Sequence, residues 1–306
     1  MRTKLVSLPD AITQWVPDGS SVVLGACLEA NLPFATTHEL IRQQRRDLHM
    51  IAPISDLSTD LLIGAGCVSE VSGAWVGNVS GGLGHNYRRA VEQEIPQAIT
   101  VHDHSNFSLG LALLAGAYGL PYIPTRTLLG SDLLRSNPEF QITENPFRAE
   151  EPIVRVPSLR PEVTILCVPR ADEFGNAHHW GSSGIVQEAA LAAKRVILLA
   201  EELVAPEVIH SDPSRVLVPG FRVTAVCHIS AGCHPSPMVG YWQRDSEFFN
   251  DYHQRSRTSE GFAAWLEKWV LGIPDHEAYR AKLGARLEAL RIRGQALSVP
   301  ANYAME

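Results

Sequence analysis

The chain has 306 residues, 45% of them hydrophobic, and a formal net charge of −7 at pH 7; that is enough to bury one large core, while basic residues scattered in short pairs such as Arg45-Arg46 exclude the continuous positive stripe of a nucleic-acid groove. No apolar run reaches the roughly 18 residues of a membrane span, and Met1-Arg2-Thr3-Lys4 leads straight into a short amphipathic segment. The five cysteines (Cys27, Cys67, Cys167, Cys227, Cys233) are odd in number, widely spaced and without a Cys-x-x-Cys, so reduced thiols and a cytoplasmic protein of one domain are expected.

Short apolar runs alternate with helical patterns, the sequence form of βαβ units and a mainly parallel sheet. Ser21-Val22-Val23-Leu24 reads as a strand, Phe34 to Gln44 as a helix, and Leu48 to Ile51 as the next strand. Helices follow over Gly84 to Gln93 and Phe107 to Tyr118, the second apolar nearly all round and so expected to be buried. The stretch from Ser136 to Pro161, with five prolines, is the least regular and is expected to be a surface excursion within the domain. Val163 to Val168 then reads as a buried strand, Val186 to Lys194 as a helix, and Val196 to Ala200 and Val223 to Ile229 as strands. Two helices close the pattern, Gly261 to Leu271 and His276 to Arg291, the last with Tyr279, Leu283, Leu287 and Leu290 on one face.

Several constellations carry potential chemistry. The segment Gly25 to Pro33 follows the first strand, at the carboxyl end where open α/β sheets bind ligands. Within it Asn31 either donates a hydrogen bond to a ligand or caps the helix that begins near Pro33. Gly77-Asn78-Val79-Ser80-Gly81-Gly82-Leu83-Gly84 precedes a helix, so its backbone N–H groups and the helix dipole suit an anion. A tight strand-to-helix loop explains the same glycines, and no Gly-x-Gly-x-x-Gly is completed there. His102-Asp103-His104 places two imidazoles on one face of an extended segment, but the sequence offers no third ligand, so no metal site is expected. His178-His179, Cys227-His228 and Cys233-His234 read as packing and loop hydrogen bonds. No Gly-x-Ser-x-Gly elbow occurs, which excludes the common serine hydrolase arrangement.

Three blocks carry a family likeness. The first is Gly232-Cys233-His234-Pro235-Ser236, then Gly240-Tyr241-Trp242, Trp269-Val270, Asp275-His276, Tyr279 and Lys282-Leu283-Gly284; the second is Gly119-Leu120-Pro121-Tyr122-Ile123-Pro124 with Gly130-Ser131; the third runs from Gly175-Asn176 through Trp180-Gly181 to Glu201-Glu202. In this order they resemble the α subunit of glutaconate-type, class I CoA-transferases over nearly the whole chain. The resemblance implies an open, mainly parallel sheet flanked by helices, the NagB-RpiA-CoA-transferase-like fold. It implies an α subunit that works with a separate β chain to move CoA between an acyl-CoA and a carboxylic acid, through a glutamyl-CoA thioester formed on the β subunit. No catalytic residue is then expected in this chain, and Glu201 and Glu202 become structural, held by backbone amides or an interface arginine. Asn31, Ser80, Gly81, Gly82 and Asn106 are the expected substrate contacts, with the CoA thioester as substrate and no separate cofactor. The aromatic-rich stretch from Gly240 to Trp269 is an expected contributor to a partner-facing surface.

This chain departs from the family where Ala26-Cys27 replace a Gly-Gly-Phe, and where Asn31-Leu32 replace the basic pair of the glutaconate enzyme. The second departure bears on any dicarboxylate substrate. Hydrolytic relatives place a working glutamate in the region whose nearest counterpart here is Asn106. A thioester or ring-opening hydrolase on the same scaffold, and a non-catalytic regulatory homologue, are the alternatives.

Overall fold

A computed structural model describes residues 2–79 and 81–293. The first half runs α1 (Leu8–Trp15), β1 (Ser21–Leu24), α2 (Phe34–Arg42), β2 (Leu48–Asp56), α3 (Ser58–Gly64), β3 (Val68–Asn78), β4 (Gly82–Leu83), α4 (His85–Gln93), β5 (Thr100–Asp103) and α5 (Asn106–Ala117). Next come β6 (Tyr122–Thr125), α6 (Leu133–Ser136), β7 (Gln141–Thr143) and β8 (Ile153–Pro157). The chain continues through β9 (Val163–Ala171), β10 (Ala177–His178), α7 (Val186–Ala192), β11 (Arg195–Leu203), α8 (Pro206–His210) and β12 (Ala225–His228). Four helices follow, α9 (Ser246–Arg255), α10 (Ser259–Leu266), α11 (His276–Leu283) and α12 (Ala285–Ala289).

The main sheet has the order β12-β11-β9-β1-β2-β3, with β5 also on β3 and with short antiparallel partners β4 on β3 and β10 on β9. Every pairing among the longer strands is parallel. The mainly parallel sheet flanked by helices therefore stands as expected. β9 and β11 are buried on both faces, which is why they read as unbroken apolar runs rather than alternating ones. One face packs Ile12, Leu40, Leu62, Phe249, Trp265 and Tyr279 from the helices above it. The other packs Leu109 and Leu113 of α5 with Val186 and Ala189 of α7.

Strand order matters for function. From β1 the chain moves outward through β2 and β3 to β5, whereas from β9, beside β1, it moves the other way through β11 and β12. The reversal leaves a crevice at the carboxyl ends of β1 and β9, the position where open α/β sheets take their ligands.

Three expectations change in detail. The stretch 136–161 contains β7 and β8, which join β6 in a separate three-stranded antiparallel sheet. This small sheet covers the outer side of α5, explaining that helix's apolar character, and Val154 and Val156 pack there with Ala112 and Phe140. The last predicted helix breaks at Gly284, whose φ of +51° ends α11. Finally, the aromatics between Gly240 and Trp269 face inward: Trp265 is buried and Phe248 meets both Trp265 and Trp269 edge-on, at 5.5 and 4.9 Å between ring centroids. They form this chain's own core rather than a partner surface. The large apolar groups that do reach solvent are elsewhere, led by Phe147, Phe221 and Tyr118. All five cysteines are buried and free. Among the described residues, no helix is long and apolar enough to cross a membrane.

Candidate functional site

The loop that leaves β1 enters the crevice in a strained path. Gly25, Ala26, Leu28 and Asn31 all have positive φ, between 56° and 84°. Glycine and asparagine tolerate this, but Ala26 and Leu28 carry about 1–2 kcal/mol each. Such strain persists only where the surroundings fix the backbone, and it gathers at functional sites. Here Gly25 N donates to Ile165 O (3.1 Å), Ile185 N to Ala26 O (3.0 Å), and Asn31 N to Pro237 O (2.9 Å). Ser236 completes the hold: its hydroxyl accepts from Leu32 N at 3.3 Å and donates to the Glu29 carbonyl. Gly184 presses against the same loop so closely that a Cβ there would stand 2.3 Å from Ala26 O.

Asn31 does not cap α2. The cap position belongs to Pro33, with no side-chain hydrogen bond. The Asn31 side chain is instead buried, 1% exposed, and neither its Oδ1 nor its Nδ2 meets a nitrogen or oxygen partner. It lies beside the Cys27 thiol, which burial pushes up to about 12 despite that neighbour. A protonated thiol is a weak partner, so the carboxamide keeps an unmet hydrogen-bonding demand, costly at about 1–3 kcal/mol per group. The same pKa removes Cys27 as a nucleophile near neutral pH.

The glycine loop is built differently from the anion cradle considered above. Its glycines permit close approach by protein groups: a Cβ on Gly84 would meet Asp60 Oδ1 at 2.3 Å, and one on Gly81 would meet the His253 ring at 2.9 Å. Asp60, fully buried, accepts from Tyr87 N in the first turn of α4 (2.7 Å) and from the Tyr252 hydroxyl (2.7 Å). The protein's own carboxylate thus takes the place a ligand anion would occupy at that helix N-terminus. Gly82 is open on the side a Cβ would take, whereas Gly81 N already donates to Asn78 O (2.9 Å). Ser80 lies outside the described residues.

Asn106 opens α5 and is exposed. Ser105 supplies the cap, accepting from Ser108 N at 3.0 Å while Ser108 Oγ accepts from Ser105 N at 2.9 Å. Ile185 links this helix to the strained loop, since its side chain reaches to 3.2 Å from a Cβ position on Gly110 while its amide binds Ala26. The glycine loop joins from the other side, where Asn78 Nδ2 donates to Phe249 O (3.3 Å) and Phe249 packs on Phe34. Asn31, Gly81, Gly82 and Asn106 therefore all belong to one edge of the sheet, with Asn31 at its centre.

Glu201 and Glu202 end β11 on the same edge. Glu201 accepts from Ser230 Oγ and Ala231 N, both at 2.7 Å, and burial raises its pKa against those bonds. Glu202 accepts from Arg170 Nε (2.8 Å) and Tyr241 OH (2.6 Å); burial pushes its pKa up, but Tyr241 and Arg170 together outweigh it and hold the carboxylate below its ordinary value. Arg170 lies over the Trp180 ring, which stacks on Tyr241. Glu201, Glu202 and Tyr241 line a pocket of about 400 Å³ together with His228 and Arg291. Both carboxylates are engaged within the chain, and the arginine that binds Glu202 is the chain's own.

The sequence blocks that single out this chain meet behind the edge. His234 bonds Tyr279 OH through Nδ1 (2.8 Å) and Asp245 through Nε2 (3.1 Å). Arg286 grips Asp245 with Nε and Nη2, both at 2.5 Å, and His276 bonds Ser230 O at 2.8 Å. Asp275 caps α11 by accepting from Ala278 N.

Comparison with known proteins gives the family. Residues 6–228 match the family model for coenzyme A transferase. The chain is 38% identical over 280 residues to the A subunit of 3-oxoadipate CoA-transferase from Pseudomonas knackmussii, covering 92% of this chain and 98% of that one. It is 30% identical to the A subunit of glutaconate CoA-transferase from Acidaminococcus fermentans, over 95% of both chains. The crystal structure of glutaconate coenzyme A-transferase from the same organism superposes with a TM-score of 0.88, covering 95% of this chain and 96% of that one. A strained loop at the switch point and two internally bonded carboxylates are thus found in a chain that belongs to the coenzyme A transferase family, as an α-type subunit.

Proposed function

We propose that this chain forms one wall of the active cleft of an acyl-CoA:carboxylate CoA-transferase whose nucleophilic glutamate is on a β subunit. The observation that carries the reading is the buried carboxamide of Asn31, without a nitrogen or oxygen partner, in a strained loop at the switch point. In the reaction, the partner's carboxylate attacks the thioester carbonyl and expels CoA thiolate, leaving an acyl anhydride. The thiolate then attacks the glutamyl carbonyl, releases the donor's carboxylate and forms the enzyme thioester. The acceptor carboxylate reverses both steps. Each addition places negative charge on one carbonyl oxygen, and Asn31 Nδ2 is the side-chain donor this chain offers to it, with Gly81 and Gly82 contacting the substrate beside it. Asn106 faces the same edge and contacts the substrate from α5. Coenzyme A enters as the thioester substrate, and the chemistry requires no other cofactor. Glu201 and Glu202 keep the edge in shape and stay out of the covalent sequence.

The test is to purify the chain with its β partner, incubate with acyl-CoA, reduce with borohydride and map the modified residue by mass spectrometry. Modification on a glutamate of the partner, retained in Glu201→Gln and Glu202→Gln variants, is expected. A thioester mapped to Glu201 or Glu202 overturns the assignment. Release of CoA without any acceptor acid would favour the hydrolase, and a pair inactive toward all acyl-CoA donors the regulatory homologue.

A further inference from the structure

The sequence gives His102 no metal-binding companions, but the fold does. His49 of β2, Glu70 of β3 and His102 of β5 come together on three adjacent strands, each offering a ligand atom, and these atoms lie within 4.8 Å of one another. Both imidazoles address the same carboxylate oxygen: Glu70 Oε2 is 3.2 Å from His102 Nε2 and 3.9 Å from His49 Nδ1. We propose that His49, Glu70 and His102 form a binding site for a divalent transition-metal ion of the zinc class.

Four features support a built site. First, the register between β2 and β3 shifts at Leu48/His49, so that Leu48 faces Val68 but His49 faces Glu70. That irregularity spends one residue, Ser69, to put Glu70 opposite His49; in an unshifted register the carboxylate would face Met50 and point away, because a one-residue slip reverses every side chain. Second, His49 Nε2 is 2.8 Å from Ser72 Oγ. A proton on Nε2 donated to that hydroxyl leaves the Nδ1 lone pair toward Glu70, the orienting role that outer hydrogen bonds play for metal-bound histidines. Third, two imidazoles and a carboxylate are a borderline donor set that suits zinc and its neighbours and disfavours magnesium or calcium. Fourth, the side chains are partly open, 21%, 46% and 25% exposed for His49, Glu70 and His102. That leaves an entry path and room for a water as fourth ligand.

Along β3 the position separates this site from the glycine loop. Glu70 and Asn78 stand eight positions apart on β3, about 26 Å at the rise of a strand. An ion would tie β5 to β2 and β3, and β5 leads into His104 and the start of α5. Zinc therefore acts as a fastener for that strand, and the proposal stands whether or not the Asn31 reading holds.

The test uses the full chain, free of affinity tag and stripped of metal, titrated with zinc against a chromophoric chelator. One equivalent is expected to bind with a Kd tighter than about 10 µM. His102→Asn and Glu70→Gln should each weaken binding at least about 10-fold, and Ser72→Ala about 10-fold, with His210→Asn, on exposed α8, as the unchanged control. X-ray absorption of the zinc-loaded wild type should show two imidazole nitrogens in the first shell, a readout that survives if a variant misfolds. Fewer than two imidazoles, no saturable zinc binding tighter than about 100 µM, or undiminished binding in both ligand variants overturns the proposal.

Discussion

Gly184→Ala separates contact from conformation at the strained loop. At Gly184 φ is +50°, and a Cβ would stand 2.3 Å from Ala26 O and 3.0 Å from Cys27 Cα. Both are backbone atoms, so neither swings aside as a side-chain end would. An alanine in the left-handed region costs about 1–2 kcal/mol, of which a stiffer unfolded chain returns about 0.4–1 kcal/mol. Opening the contact to about 3 Å moves the loop by roughly 0.7 Å, and overpacking of that kind typically costs about 1–3 kcal/mol more. Gly119→Ala is the control, because Gly119 has φ of +71° and nothing within 4 Å of its Cβ; it carries the conformational cost alone, about 1 kcal/mol. In thermal unfolding, at about 2–4 °C per kcal/mol for a chain of this order of size, Gly184→Ala should lose about 5–10 °C and Gly119→Ala about 2–4 °C. In the reconstituted enzyme, displacing the donors by that distance should lower kcat/KM by about 100-fold for Gly184→Ala, with Gly119→Ala at full rate. Equal Tm losses in the two variants, or full transfer activity in Gly184→Ala, would refute the link between loop geometry and catalysis.

Asn31→Ala removes two unmet buried groups but adds a less tolerant residue at positive φ, so stability should stay within about 1 kcal/mol while kcat falls about 10²-fold or more; unaltered kcat would remove Asn31 from the site. Acid should weaken the fold through His276, whose burial lowers its pKa to about 4. As pH falls below 6.5 the unfolded chain takes up this proton first, so stability is full above about pH 6.5 and about 3 kcal/mol is lost by pH 4. Urea midpoints from pH 8 to 4 check this, since His276→Asn should flatten the slope; identical slopes in wild type and variant would contradict it. Asp245, held well below the usual carboxylate range because Arg286 and His234 outweigh its burial, adds a further loss only below about pH 4.

The elements most legible in the sequence were those buried on both faces. β1 spans the very residues that its apolar run marks, and β9 and β11 begin within a residue of theirs. β3, the longest strand, was not legible, because Val68-Ser69-Glu70-Val71-Ser72-Gly73-Ala74-Trp75 mixes polar and small residues and contains the register shift. β8 alternates buried Val154, exposed Arg155 and buried Val156, but the four residues between Pro152 and Pro157 are too few to establish a period. The site divides in the same way. The position of the Gly25 to Pro33 loop follows from strand order, whereas the unmet demand of Asn31 depends on Ser236 and Pro237, from the far end of the chain, fixing the backbone around it. Asp60 at the start of α4 has no spacing rule that would announce it, and its presence there changes what the glycine loop can bind.

His234 and Tyr279, which belong to the family-like blocks, are not among the proposed substrate contacts. His234, Asp245, Tyr279 and Arg286 clamp the last helices to the turn that carries Ser236, and Ser236 holds the strained loop at Glu29 and Leu32. Asp245 is nearly inaccessible while Arg286 is 39% exposed, so the pair is anchored on the carboxylate side. Removing only the arginine strands a buried charge, which costs about 3 kcal/mol or more; removing both charges does not. Arg286→Met should therefore be the more damaging single change, and the double variant with Asp245→Asn should recover at least about 1.5 kcal/mol relative to the sum of the singles. Urea unfolding of the four proteins measures the coupling. Because the clamp acts on the acyl site only through Ser236 and the loop, the same variants should lower kcat with little change in the apparent affinity for acyl-CoA. Strictly additive stabilities would mean that Asp245 and Arg286 do not work as a unit.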